Sequence, residues 1–246
     1  MRQTQSAPAL GRFTALHLLL SVQTLVVILG SINRLGSFTL SYVAPNQFLR
    51  WVDLINMLPL PIISVLTFYL LKKHLEQQGD PNTRRAALLT LNLAFLIGVY
   101  LLAASYGDHE VTNYLHGRFC ETDTHSDLCR IIIYNDDEFG HYLFFTGFVI
   151  INTVIMLMQV LFPYAHTVRA IDNALILFNA LFIALGIFAN LAFEEIGLDL
   201  YVVALLALIA VGLFLTRRRQ PILLYYSAAY VLGLIATFAY KGFSFV

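Results

Sequence analysis

Between residues 105 and 116 the chain places Ser105, Asp108, His109, Glu110, Asn113 and His116, six polar or ionisable side chains in twelve positions of an otherwise apolar region. On a helix turning about 100° per residue, Ser105, His109, Asn113 and His116 fall at i, i+4, i+8 and i+11 and share one stripe, flanked by Asp108 and Glu110. A second polar run lies in YNDDEFGHYLFF, residues 134 to 145. There Asp137 and His141 stand at i and i+4, and Glu138 and His141 at i and i+3, so either pair presents a carboxylate and an imidazole to one ion.

Imidazole with carboxylate is a donor set for zinc or iron, and a catalytic zinc keeps three protein ligands plus a water. The expected ligands are His109, His141 and either His116 or Asp137. Glu138 is expected as a base or as a partner that orients a histidine. Ser105 or Asn113 is expected to donate to a developing oxyanion. Asp136, with Asn135, also suits a helix N-cap, where acids are favoured by the dipole. Asp53 lies one turn from Asn56 and is expected behind a ligand rather than on the metal, in the company of Asp108, Glu110, Asn113 and Asp136. Glu194 and Glu195 read as solvated turn residues, either of which could complete a dinuclear site. His17, His74 and His166 read as headgroup contacts at helix ends, and His125 as a solvated loop residue.

These residues must be positioned by membrane-like helices. The 246 residues are 59% hydrophobic and 12% charged, with a mean hydropathy of +0.73, which places the chain among polytopic membrane proteins. The expected architecture is a single all-α membrane domain over 1–246. Seven spans are predicted, near 14–32, 51–71, 86–106, 140–163, 170–192, 199–216 and 221–240. Pro59 and Pro61 are expected to kink the second. With the N-terminus in the cytoplasm, ten Lys and Arg residues fall inside and five outside, so the positive-inside rule predicts a cytoplasmic N-terminus and an outer C-terminus. Twelve of the fifteen acids then fall on the outer side. No basic tract points to nucleic acid.

Residues 107–139 are expected as a long extracytoplasmic loop. It holds the two cysteines, Cys120 and Cys129, nine positions apart, and in an oxidising compartment a disulfide is the default expectation. The apolar run after Arg12 is longer than a signal peptide's and lacks a small-residue cleavage site, so a retained anchor is expected. The membrane is expected to be a bacterial inner membrane or a eukaryotic plasma or endomembrane.

From residue 51 to about 147 the chain resembles the alkaline ceramidase and seven-helix receptor-hydrolase superfamily. SYGDH supplies a Ser-x-x-x-His through Ser105 and His109, NDDEF supplies Asp136 or Asp137 at the start of the next helix, and RWVDLINMLPLPI is similar to the family's polar, proline-containing first helix. The resemblance implies a zinc ligand at His109, a partner of the zinc-bound water at Asp137 or Asp136, and a hydrogen-bond donor at Ser105. The family's remaining ligands come from a His-x-x-x-His in its final helix, and this chain has no histidine after His166. His116 and His141 would have to replace them.

The function expected is a metal-dependent hydrolase, zinc- or alternatively iron-loaded, acting on a membrane lipid amide or ester at the outer interface. The alternatives are an ion- or proton-coupled transporter or receptor-like protein with an acidic outer mouth, and a di-iron oxidoreductase. EFGH gives Glu138-x-x-His141, one copy of a di-iron spacing that needs two.

Overall fold

The computed structural model describes residues 13–80, 84–193, 197–217 and 220–244; Glu194 and Glu195 lie outside them. Every named element among the described residues is helical: α1 (Thr14–Asn33), α2 (Trp51–Met57), α3 (Pro59–Glu76), α4 (Arg85–Leu115), α5 (Asp127–Tyr134), α6 (Gly140–Leu161), α7 (Ala170–Phe193), α8 (Leu198–Thr216) and α9 (Pro221–Ser244). Seven helical stretches among these residues are long and apolar enough to cross a membrane. Helices suit such sequences because hydrocarbon offers no partner for a free N–H or C=O, and a helix pairs each within its own segment.

The second stretch, Trp51–Glu76, combines α2 and α3. It breaks at Leu58, where φ is −117° and ψ −76°, immediately before Pro59. Proline fixes its own φ, cannot donate, and disfavours helical geometry in the residue before it, so Pro59 starts a new helix rather than continuing the old one.

The expected outer loop is instead mostly helix. α4 runs on through a π-helical turn, His116–Cys120, and α6 is preceded without interruption by α5 and a second π turn, Asn135–Phe139. Only residues 121–126 are left between the two arms. The Cys120–Cys129 disulfide, Cα–Cα 5.4 Å, closes that turn, and both cysteines are buried with Ile132 in a small apolar cluster of their own. The arms therefore exceed the roughly 20 residues that a bilayer needs, spanning Arg85–Cys120 and Asp127–Leu161.

α4 and α6 pack as one of the two closest pairs in the bundle. Glycine makes the approach possible. A Cβ on Gly147 would lie 2.8 Å from Gly98 O and 2.9 Å from Leu102 N, and one on Gly98 would lie 2.8 Å from Ile151 Cγ1. Small residues at a membrane helix interface let backbones approach, and here they fix the two helices that carry the polar runs. Nearer the disulfide, Gly140 faces His109, whose Cβ would be 3.2 Å from an added Cβ.

Candidate functional site

At the disulfide end of α4 and α6 the two polar runs face each other. Their focus is Asp136, only 1% exposed. One carboxylate oxygen, Oδ2, lies 2.8 Å from His116 Nδ1, and the other, Oδ1, lies 3.0 Å from His109 Nδ1. His109 Nδ1 is also 3.2 Å from the Asp136 carbonyl and points towards it, so Oδ1 has no well-aligned hydrogen bond of its own. Every neighbour of these two Nδ1 atoms is an acceptor, so Nδ1–H donates and the lone pair of each ring sits on Nε2.

The π turns explain why Asp136 holds this place. One extra residue in a turn rotates every later side chain about the helix axis, and such turns recur at functional sites. Asn135–Phe139 directs Asp136 into the α4 interface, leaves Asp137 57% exposed with an oxygen 3.9 Å from His116 Nδ1, and turns Glu138 to the surface, where it accepts from Tyr142 Oη at 3.3 Å. Spacing on a regular helix favoured Asp137 and Glu138 instead. Asp136 is not an N-cap either, because α5 and the π turn continue the helix on its N-terminal side.

His109 and His141 meet, with ring centroids 4.8 Å apart. Their nitrogens do not join His116 or Asp137 in one group, however. His141 Nδ1 is 3.0 Å from the Asp137 carbonyl one turn back on its own helix. Among the described residues the three donors that come together within 4.8 Å are His116, Asp136 and Asp137. His109 and His141 of the expected set are absent from it; the two alternatives for the third ligand, His116 and Asp137, are both present, together with Asp136. Ser105 is committed elsewhere: 2% exposed, it donates to the Gly140 carbonyl at 2.8 Å and ties α4 to α6. Asn113 is half-buried on the same arm.

Behind the focus the polarity continues inward. Glu110 is buried, 3.6 Å from Arg34 and 3.5 Å from Asn56 Nδ2. Asn56 in turn accepts from Asn33 at 3.0 Å. Asp108 has a buried, unpartnered Oδ2. Asp53 stands apart, its carboxylate gripped by Arg50 at 2.7 and 2.8 Å. Those hydrogen bonds hold the Arg50 guanidinium more firmly protonated than usual, and Arg50 also covers the Tyr114 ring. Four carboxylates (Asp108, Glu110, Asp136 and Asp137) thus surround the site, with Arg34 and, more distantly, Arg50 as permanent cations beside Glu110.

Two cavities adjoin this cluster. One of about 200 Å³ is lined by Ser105, His109, Gly140 and His141. A larger one of about 380 Å³ lies deeper in the bundle, and both touch Arg34, Tyr106, Glu110, Phe144, Phe145 and Asn190. Arg34, Tyr106 and Asn190 were not anticipated from the sequence. Arg34 carried the available signal, as an arginine directly following an apolar span.

No protein-family model, no curated protein and no solved structure matches this chain.

Proposed function

We propose that the protein is a membrane-embedded, metal-dependent hydrolase that cleaves an ester or amide of a lipid. The observation that carries this is the buried Asp136 carboxylate with an imidazole on each oxygen, set beside a cavity that opens towards the apolar interior. A buried carboxylate is costly unless paired or bound to a metal, and the local excess of acids favours a cation.

The donors fit zinc, with iron as the alternative. Zinc bonds of about 2.0–2.1 Å at tetrahedral angles separate neighbouring ligand atoms by about 3.3 Å, and the separations of 2.8 and 3.9 Å from His116 Nδ1 to Asp136 and Asp137 bracket that value; the ring's proton would move to Nε2 to free the Nδ1 lone pair for the ion. His116, Asp136 and Asp137 are the ligand set, and His109 positions Asp136 from its other oxygen. Bound zinc supplies a water with a pKa near about 7 and a Lewis acid for the scissile carbonyl. Asp137, the most exposed of the three, exchanges protons with solvent. His109 and His141 form the wall of the smaller cavity, where Arg34 and Tyr106 are the donors facing a carbonyl oxygen. Ser105 acts as a helix clamp.

The disulfide favours an oxidising compartment at this end, and with the distribution of Lys and Arg it supports a cytoplasmic N-terminus and a C-terminus on the disulfide side. A bacterial inner membrane or a eukaryotic plasma or endomembrane satisfies both.

A second reading has its own observation. Two imidazoles within 3.0 Å of one carboxylate, with His116 donating to it, also describe a proton-sharing cluster, and Glu110 and Asn56 extend it inward; the protein would then be an ion- or proton-coupled carrier.

Metal analysis separates the two. Protein purified from zinc-supplemented cells, without chelators, is expected to hold about one zinc or iron per chain, and His116→Ala to hold less than a tenth of that at unchanged helicity. Metal-free wild-type protein, or full metal in His116→Ala, removes the hydrolase reading. Proton flux into vesicles by the metal-free protein would establish the carrier.

A further inference from the structure

The larger cavity runs along α1 from Arg34 at the disulfide end to Leu20 towards the other. The fourteen steps between them, at 1.5 Å each, span about 21 Å. That is more than one leaflet's half of a hydrocarbon core about 30 Å thick. Its volume is about 380 Å³. That lies within the range of cavities that bury a small ligand, and its length suits an extended lipid chain.

The walls agree with that occupant. Leu20, Leu71, Phe148 and Val203 are among the apolar liners, while Arg34, Asn56 and Glu110 gather where the cavity meets the smaller one. Gln23, Ser64 and Asn152 are polar liners farther in, the first two hydrogen-bonded to each other; a cavity mostly apolar, with its charged residues at one end, matches an amphiphile. At the polar end Arg34 and Glu110 already face each other at 3.6 Å, and Asn56 reaches Glu110. The charges there are balanced, so the matching head group is uncharged and hydrogen-bonding.

We infer that this cavity holds the apolar chain of a lipid with an uncharged polar head, and that lipids with a charged head are excluded from it. The head is seated at Arg34 and Glu110, and the chain lies in the middle of the bundle, in a cavity to which α1, α3, α4, α6, α7, α8 and α9 all contribute walls. That the bond next to the head is the one cleaved rests on the hydrolase reading; the occupancy does not.

The test uses full-length protein in nanodiscs and two photoreactive probes: a monoacylglycerol and a phosphatidylcholine, each with a diazirine near the chain end. The monoacylglycerol is expected to label peptides containing Leu71 or Tyr225, deep in the cavity, and the phosphatidylcholine only exposed positions such as Tyr201 and Leu208. A plug is available at Gly30, which lines the cavity and where an added Cβ would meet only Leu60 Cδ1, at 3.9 Å. Gly30→Phe is expected to cut the deep labelling at least about tenfold, with Gly30→Leu as the milder plug if the first does not fold. Gly212→Leu, at an exposed glycine with no atom within 4 Å of an added Cβ, is expected to leave labelling intact.

Deep labelling by both probes overturns the requirement for an uncharged head. Labelling confined to exposed positions, or unchanged by folded Gly30 variants, overturns the site. Zinc content measured on the same samples is expected to be equal in wild type and Gly30→Phe, so absence of metal with intact deep labelling defeats the hydrolase reading alone.

Discussion

Asp136 and Asp172 are both buried aspartates with a histidine nitrogen 3.0 Å from a carboxylate oxygen, at opposite ends of the bundle. They differ in the second partner. Asp172 is held by Arg169 through contacts of 2.8 and 3.2 Å, in addition to His17, whereas Asp136 has a second imidazole, His116. A guanidinium is a permanent cation without a lone pair; it closes the pair and cannot ligate a metal. Imidazoles are neutral over much of the physiological range and each keeps a lone pair. Asp172 is thus a neutralised lock joining α1 to α7, and Asp136 is a carboxylate still open to a cation.

The widest separation between the two ends is expected from the matched pair Asp136→Asn and Asp172→Asn. Replacing a metal's outer partners typically costs 10–100-fold in affinity, so loss of the ligand Asp136 is expected to weaken zinc at least about 100-fold. Asp172→Asn is expected to lower the melting temperature by a few degrees and leave zinc affinity unchanged, as titration with a fluorescent zinc competitor would read. Equal zinc affinities in the two variants would erase the distinction.

Next in size is the scaffold. Gly147→Val forces a side chain into the backbone of α4, and overpacking of this kind costs about 1–3 kcal/mol or more. Its expected signature is a lower melting temperature together with weaker zinc binding, because α4 and α6 carry both halves of the cluster. A fall in stability with zinc binding intact would mean that the cluster does not depend on the close α4–α6 approach.

That dependence also explains what was legible. Seven continuous apolar runs specify seven helices, since a bilayer leaves the backbone few other options, and two cysteines nine positions apart specified their pairing. The cluster was legible as a neighbourhood, through the histidine and carboxylate density on both sides of the disulfide. Its internal arrangement was not. Helical spacing assumes a regular turn, and one π turn at Asn135–Phe139 moved the central role from Asp137 to Asp136. The same assumption ended the third span near residue 106, where polar residues begin, although α4 continues because its partner arm and the disulfide support it. Gly98 and Gly147 stood in plain view as small residues in apolar spans, but which pair face each other is set by packing.

Ser105 is a smaller test of the same region. Its hydroxyl makes a single buried hydrogen bond to the Gly140 carbonyl, and such bonds contribute about 0.5–1.5 kcal/mol. Ser105→Ala is expected to lose about that much stability in a denaturant titration and to change zinc affinity less than tenfold. A loss as large as that of Asp136→Asn, without a stability change, would return Ser105 to the chemistry.

The finest distinction lies between neighbours. Asp137 and Glu138 are adjacent, both acidic and both exposed, so nothing in their composition or solvation tells them apart. Orientation does. Asp137 keeps an oxygen 3.9 Å from His116 Nδ1, near the spacing of two ligands on one ion, while Glu138 is turned to Tyr142 on the far side of the π turn. Asp137→Asn is therefore expected to weaken zinc by about 10-fold, less than loss of the buried ligand Asp136 because Asp137 is half in water. Glu138→Gln is expected to stay within about ±0.5 kcal/mol in stability, the usual range for a surface change, with zinc affinity unaltered. The reverse order would show that the π turn is not the register adopted when metal is bound, because a regular α-helical turn is what would bring Glu138 round beside His141.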